Sequence, residues 1–359
     1  MDHEGRLGRL CQVMEQRKLG AFLITHLPNI RYLCGFTGSS GAILATNADV
    51  TFFTDGRYAE QARAEVQGSK IRIVRKSALA AAAKWLAGKA RLRRIGIEAT
   101  HLTVGERAIL AAALGHGSTL IDAPPLVEEL RQIKDAVEIA RIRAACQLGS
   151  ELFDRVKTVL RPGVSEAEVA GELEFTARKR GAEQMAFPTI IASGKRAALP
   201  HGRASTAAIP SRGFVVCDFG VILAGYCSDM TRTVHVGLPS LKARRVYNAV
   251  REAQQAALEA VRPGATTGEV DRAARNILKK KSLGKYFTHS TGHGVGLEIH
   301  ESPRIAAGQK EPLQAGMVIT VEPGAYLPGS CGVRIEDTVV VTETGCEILT
   351  ACSKDLITI

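Results

Sequence analysis

Aromatic side chains are scarce in this 359-residue chain, at 5% with a single tryptophan. Proteins that hold single-stranded nucleic acid interleave aromatic stacking platforms with basic residues. The shortage therefore counts against a nucleic-acid partner, despite a formal net charge of +11 from 47 Lys and Arg against 36 Asp and Glu. The basic excess is spread along the chain without a basic tail, which describes a generally basic surface. Long apolar runs are also missing. No stretch approaches the roughly 18 consecutive apolar residues of a membrane span. The opening Met1-Asp2-His3-Glu4 carries no basic segment followed by an apolar one, so no secretory signal is read there. The eight cysteines (Cys11, Cys34, Cys146, Cys217, Cys227, Cys331, Cys346 and Cys352) lack C-x-x-C spacing. That argues against a cysteine-based zinc site and leads to the expectation of reduced thiols and a cytoplasmic location. The 35 glycines show no G-x-y period, so a fibrous repeat is excluded.

What is present is a globular composition, 45% hydrophobic and 23% charged, in a chain long enough for two domains. The first third alternates between helical and strand patterns. Helical apolar spacing over residues 3–19 is followed by a buried strand at Ala21–Ile24 and two more at Ala42–Ala45 and Val50–Phe53. A helix is expected after Asp55, carrying Tyr58, Ala62 and Val66, and the alternation continues through Val104–Leu114. This predicts an α/β domain over residues 1–125. Pro124-Pro125 fits neither a helix interior nor a central strand and is taken as the boundary. Beyond it, helical patterns run over 135–160, 166–180, 241–261 and 267–280, and short β-rich runs fall at 213–221, 226–236, 317–321 and 333–341. The expectation is an α+β second domain over residues 133–359.

The chemistry-bearing residues lie in those β-rich runs. Val215-Val216-Cys217-Asp218-Phe219-Gly220 sets a carboxylate in an apolar strand. A buried aspartate is costly unless it is paired or bound to a cation, although a turn residue before Gly220 is the plainer alternative. Asp229 follows within Tyr226-Cys227-Ser228-Asp229-Met230. Antiparallel strands joined at Leu223-Ala224-Gly225 would bring the two carboxylates together. Bare, they repel and one keeps its proton; a divalent cation removes the conflict. His289 and His293 stand four apart in His289-Ser290-Thr291-Gly292-His293-Gly294, and His300 comes seven later. Glu322 precedes Pro323-Gly324, and Glu336 lies two residues after Arg334. Singly, each has an ordinary reading as a core histidine, a turn glutamate or a surface ion pair. Together, Asp218, Asp229, His293, Glu322 and Glu336 form a donor set spread over neighbouring β segments. Other motifs fail. His300-Glu301-Ser302-Pro303-Arg304 lacks the second histidine of H-E-x-x-H, and no P-loop or G-x-S-x-G elbow is present.

In this order, the five residues and the stretches VVCDFG, YCSDMTRT, HSTGHGVGLEIHESPR, VEPGAY and GVRIEDTV resemble the pita-bread metallopeptidases, specifically their Xaa-Pro branch of aminopeptidase P and prolidase. Ala198-Leu199-Pro200-His201-Gly202 matches that branch too, and Asn29–Gly38 with Thr54–Tyr58 resembles its creatinase-type N-terminal domain. The resemblance implies a creatinase-like α/β domain followed by an α+β pita-bread catalytic domain. It implies two divalent ions, best matched by Mn²⁺ with Co²⁺ tolerated, because four carboxylates and one imidazole make a hard donor set. Asp229 and Glu336 would bridge the ions, Asp218 would complete one site, and His293 with Glu322 the other. A shared water or hydroxide would be the nucleophile. Glu322 is then the candidate proton shuttle, and His201 and His300 the candidates for substrate binding and for hydrogen bonds to the tetrahedral intermediate. His289 is a substrate-side or supporting residue. Arg334, and more weakly Tyr226, would orient the carboxylates. A homodimer is also implied.

The implied activity is removal of one N-terminal residue before proline. The Xaa-Pro amide is tertiary, so peptidases that grip the leaving-side N–H cannot use it. Aminopeptidase and strict dipeptidase actions share the metal site and remain open. A creatinase-like amidinohydrolase is disfavoured because the donor set is complete. A non-catalytic peptide- or nucleic-acid-binding protein on the same fold is the alternative from another class.

Overall fold

The structure, a computed structural model, describes every residue except 76, 89–91 and 115–116. It divides into two compact units, Met1–Arg131 and Gln132–Ile359.

The first unit opens with helix α1 (His3–Gln16), whose first turn is capped by the Asp2 side chain accepting from the Gly5 amide. Strand β1 (Ala21–Ile24) follows, then α2 (Leu27–Cys34), β2 (Ala42–Thr46), β3 (Val50–Asp55), α3 (Ala59–Glu65), β4 (Lys70–Val74), α4 (Ala78–Ala87), β5 (Arg94–Glu98), α5 (Val104–Leu114), β6 (Thr119–Ala123) and α6 (Leu126–Gln132). The six strands form one mixed sheet in the order β4-β3-β2-β1-β5-β6. β1 sits near its middle, antiparallel to β2 and parallel to β5. This is why Ala21-Phe22-Leu23-Ile24 is apolar at every position. One face packs on Leu79, Ala82, Ala83 and Leu86 of α4. The α/β expectation holds, with differences in detail. Residues 56–58 form a 3₁₀ turn before α3, because the Asp55 side chain accepts from the Arg57 amide. Helix α2 was hidden by Pro28, which is tolerated in its first turn. Pro124-Pro125 introduces α6, and the division between the units comes at the end of that helix.

The second unit continues with α7 (Ala136–Val159), α8 (Glu166–Lys179), β7 (Gln184–Met185), β8 (Ile190–Ser193), β9 (Gly213–Phe219), β10 (Val221–Leu223), β11 (Tyr226–Cys227) and β12 (Met230–Val236). Then come α9 (Leu241–Ala260), α10 (Thr267–Lys280), β13 (Gly292–Gly294), β14 (Glu301–Ile305), β15 (Val318–Val321), β16 (Gly324–Leu327), β17 (Cys331–Arg334), β18 (Asp337–Val341) and β19 (Cys346–Ile348). Capping boxes at Asp135/Glu138, Ser165/Glu168 and Thr266/Glu269 begin α7, α8 and α10. The sheets are β12-β9-β8 and β14-β13-β15-β18-β19, with a β16-β17 ribbon and a small β11-β10-β7 sheet. α9 and α10 pack with Ile319, Val321, Val333 and Val339 in one core. α7 and α8 pack with Val215, Cys217, Phe219 and Met230 in the other. This is the α+β pita-bread layout that the resemblance implies.

The run expected as one strand over 213–221 breaks at Gly220, where an added Cβ would stand 1.9 Å from the Ser228 carbonyl oxygen. β9 and β12 pair antiparallel, with Asp218 opposite Thr231 and Phe219 opposite Met230. The chain between them forms the β10–β11 hairpin, which joins β7 instead. Among the described residues, no helix is long and apolar enough to cross a membrane.

Candidate metal centre and active site

Each of the five candidate ligands lies in or at the end of a strand. Asp218 is the penultimate residue of β9, Asp229 precedes β12, and His293 is central in β13. Glu322 follows β15, and Glu336 sits between β17 and β18. The backbone carries them inward. The Glu322 amide donates to the Thr291 carbonyl at 2.8 Å, and the Glu336 amide to the Thr231 carbonyl at 3.1 Å. All five line one cavity of about 830 Å³, which His201, His289, His300 and Arg334 also line.

Asp229, His293 and Glu336 each offer a ligand atom, and these atoms lie within 4.8 Å of one another. His293 Nε2 is 3.5 Å from Asp229 Oδ2 and 3.6 Å from Glu322 Oε1. These separations are long for a strong hydrogen bond and natural for groups ringed about a common cation. His293 Nδ1 lies 3.0 Å from the Gly294 carbonyl, an acceptor, so Nδ1 carries the proton and Nε2 presents its lone pair. Asp218 Oδ2 accepts from Arg334, whereas Asp218 Oδ1 is buried and accepts no hydrogen bond. A buried carboxylate oxygen with no protein donor fits a ligand to a cation.

The electrostatics agree. Burial, with the charges of Glu336, Asp218 and Glu322, raises the Asp229 carboxyl well above the ordinary carboxylate range. Burial and Glu322 do the same to Glu336, and burial pushes Glu322 up to about 7. Burial lowers His293 to about 4, keeping its imidazole neutral. Carboxylates packed this closely cannot all ionise without a positive partner, and Arg334 is shared among too many of them. A hard, mainly oxygen donor set with one neutral imidazole fits divalent cations.

Arg334, 3% exposed, holds the surround together. Its Nε donates to Thr231 Oγ1 at 3.0 Å, its Nη1 to the Pro200 carbonyl at 3.0 Å and to the Tyr326 hydroxyl at 2.6 Å, and its Nη2 to Asp218. Thr231 Oγ1 in turn donates to Glu336 Oε2 at 2.6 Å. His289 Nε2 is 2.9 Å from the Tyr326 hydroxyl, and burial lowers the His289 pKa to about 4. The His300 ring meets that of His293 edge-on, with centroids 4.4 Å apart. His201 is solvent-exposed and lies close enough to His289 and His300 to affect the charge on each.

Tyr226 differs from the expectation. Its hydroxyl donates to Glu138 of α7 at 3.0 Å, and Tyr226 is not among the residues lining the cavity. The tyrosine that bonds Arg334 is Tyr326, to which the sequence reading assigned no role. The signal was available in the ribbon. Gly324 pairs with Arg334, and Tyr326, two residues along, shares that face. A Cβ at position 324 would come within 2.6 Å of the Tyr326 hydroxyl, so glycine leaves the space it needs. Arg203 and Arg304 also line the cavity and were not singled out.

The description "Metallopeptidase family M24" matches residues 140–343, and "Creatinase/Prolidase N-terminal domain" matches residues 6–133. The chain is similar to a solved Xaa-Pro dipeptidase from Bacillus anthracis, at 40% identity and a TM-score of 0.96, covering 99% of this chain and all of that one. It is 38% identical to an Xaa-Pro dipeptidase of Pyrococcus horikoshii, over 98% of both chains. A solved X-Pro aminopeptidase from Thermotoga maritima is 38% identical with a TM-score of 0.88, covering 96% of this chain and 99% of that one. A complete donor set inside a fold matched over its whole length leaves one conclusion: the chain belongs to metallopeptidase family M24 and carries a creatinase/prolidase-type N-terminal domain.

Proposed function

We propose that this protein hydrolyses the bond between an N-terminal residue and a following proline, using two divalent cations, Mn²⁺ being the best match, held by Asp218, Asp229, His293, Glu322 and Glu336. The observation that carries this reading is the convergence of those buried donors on one cavity, with Asp218 Oδ1 left without a partner. Relatives that act on Xaa-Pro bonds support the substrate class. Divalent cations there supply Lewis acidity, lowering the pKa of a water and polarising the scissile carbonyl.

The chain's own groups do the rest. Glu322, which lines the cavity beside His293, takes a proton from the attacking water and delivers it to the proline nitrogen. That delivery is needed because a tertiary amide nitrogen must be protonated to leave. His201 and His300 donate hydrogen bonds to the substrate carbonyl oxygen as its charge develops. His289, neutral and hydrogen-bonded to Tyr326, supports that wall of the site. Arg334 donates to Asp218 Oδ2 and holds that carboxylate in orientation. The family resemblance supports a homodimer, and the scattered cysteines without C-x-x-C spacing fit a reducing cytoplasm.

Strict dipeptidase action is the second reading. Arg203 and Arg304 line the cavity, and a guanidinium matches the carboxylate that a dipeptide carries directly after its proline nitrogen. The test is kinetics on Xaa-Pro against Xaa-Pro-Yaa peptides after chelator stripping and return of Mn²⁺ or Co²⁺. Activity should vanish on stripping and recover with metal. Turnover indifferent to stripping would refute the metal reading, and loss of turnover on adding Yaa would select the dipeptidase.

A further inference from the structure

Glu166 is a fully buried carboxylate in the first turn of α8, and the helix does not need it as a cap. The capping box there is formed by Ser165 and Glu168. The Glu166 side chain instead receives the two ends of the segment that carries His201. Oε1 accepts from the Ser193 amide at 2.8 Å and from Ser193 Oγ at 2.9 Å. Oε2 accepts from the Ser205 amide at 3.2 Å and from Ser205 Oγ at 2.7 Å. Arg196 Nε lies 3.2 Å from the first oxygen and 3.0 Å from the second.

Ser193 ends β8, and Ser205 closes the loop that follows, which holds His201 near its middle. Arg196 Nη2 spans the loop to the Arg203 carbonyl at 2.8 Å. At the tip, Arg334 donates to the Pro200 carbonyl, one residue before His201. The loop is thus tied at its base by one carboxylate and at its tip by the guanidinium that also holds Asp218. A carboxyl group buried this deeply needs hydrogen-bond donors, and among the described residues its donors are Ser193, Arg196 and Ser205, the loop and its two ends.

We propose that Glu166 is a positioning residue for the peptidase reaction: by clamping Ser193, Arg196 and Ser205 it holds the loop that presents His201 to the substrate. The proposal rests on the reading of His201 as a substrate-side group. The bonds of Glu166 go to the loop and to none of the five candidate metal ligands, so its replacement should leave metal affinity little changed.

The test is Glu166→Gln in the manganese-loaded enzyme. The amide has one acceptor oxygen, and its NH₂ turns donor against donor at one end of the loop, so one tie is lost while volume is kept. The expected result is a loss of about 10- to 100-fold in kcat/KM, with Mn²⁺ affinity by calorimetry unchanged. Hydrogen exchange should quicken in residues 194–204 and stay constant elsewhere in the catalytic unit. A double-mutant cycle supplies the reading that a general loss of structure would not give: Glu166→Gln should cost nothing further in a His201→Ala background. Equal Glu166→Gln losses with and without His201, or unchanged exchange in the loop, would overturn the proposal alone. A wild-type rate for His201→Ala would overturn the reading beneath it as well. If Glu166→Gln does not fold, Ser205→Ala removes one donor at one end and should show the same pattern at a few-fold size.

Discussion

Arg334 joins more parts of the site than any single candidate ligand. Four acceptors, Asp218, Thr231, Tyr326 and Pro200, meet one planar guanidinium. Lysine has the charge but presents its donors from a single point, so it cannot serve that fork. Arg334→Lys should lower kcat/KM by about 10- to 100-fold and leave buried acceptors unmet at a cost of about 1–3 kcal/mol. Steady-state kinetics with Mn²⁺ titration and denaturant melts check this, and a near-normal rate would remove Arg334 from the site's support. How legible these residues were differs for a physical reason. The five candidate donors stand out because carboxylates in apolar strands are costly and therefore conspicuous, Asp218 in VVCDFG above all. Tyr326 and Glu166 do not stand out. A tyrosine and a first-turn glutamate are ordinary in sequence, and only their partners, Arg334 and the 193–205 loop, make them unusual.

Among the elements, β13 and β15 decide whether His293 and Glu322 face each other. Gly292 opens β13, and a Cβ built there would lie 2.0 Å from the Thr320 carbonyl oxygen. The neighbouring His293 amide donates to Thr320 Oγ1 at 3.1 Å, so the two strands are held close at the ligands. Gly292→Ala must push backbone away from backbone. It should destabilise the protein by about 1–3 kcal/mol and weaken Mn²⁺ binding by about 10-fold or more. Calorimetric metal titration and thermal melts measure both, and unaltered metal affinity would show that the strand spacing does not set the site. Most helices and strands were readable from periodicity and caps. The break at Gly220 was not, because nothing local distinguishes a strand that continues in its sheet from one that leaves it. The close approach of Ser228, eight residues on, imposes that break.

For the whole molecule, the buried carboxylates tie stability to pH and, as the proposed ligands, would tie it to cation binding. Glu322 is raised from 4.5 to about 7, and Asp229 and Glu336 move in the same direction. A carboxyl with a raised folded-state pKa holds its proton more tightly in the folded protein. Its contribution is fully present below the unfolded value of about 4.5 and is lost as pH rises through about 7. The metal-free protein should therefore weaken across that window. Cations held by these carboxylates would bind the ionised forms and displace the protons, so their stabilisation should grow with pH. The Tm gain from a fixed excess of Mn²⁺ should be larger at about pH 8 than at about pH 6. Equal gains at both would mean that these carboxylates are not the ligands.

By itself, the sequence determined which donors are available and which strands and helices carry them, because apolar periodicity, capping boxes and the cost of a lone buried charge are local properties. Tertiary structure alone decided that donors from Asp218 to Glu336 meet in one cavity, that Tyr226 bonds α7 while Tyr326 reaches Arg334, and that Glu166 closes a loop. Those outcomes depend on strand register and on contacts between residues far apart in the chain, which no local pattern of side chains encodes.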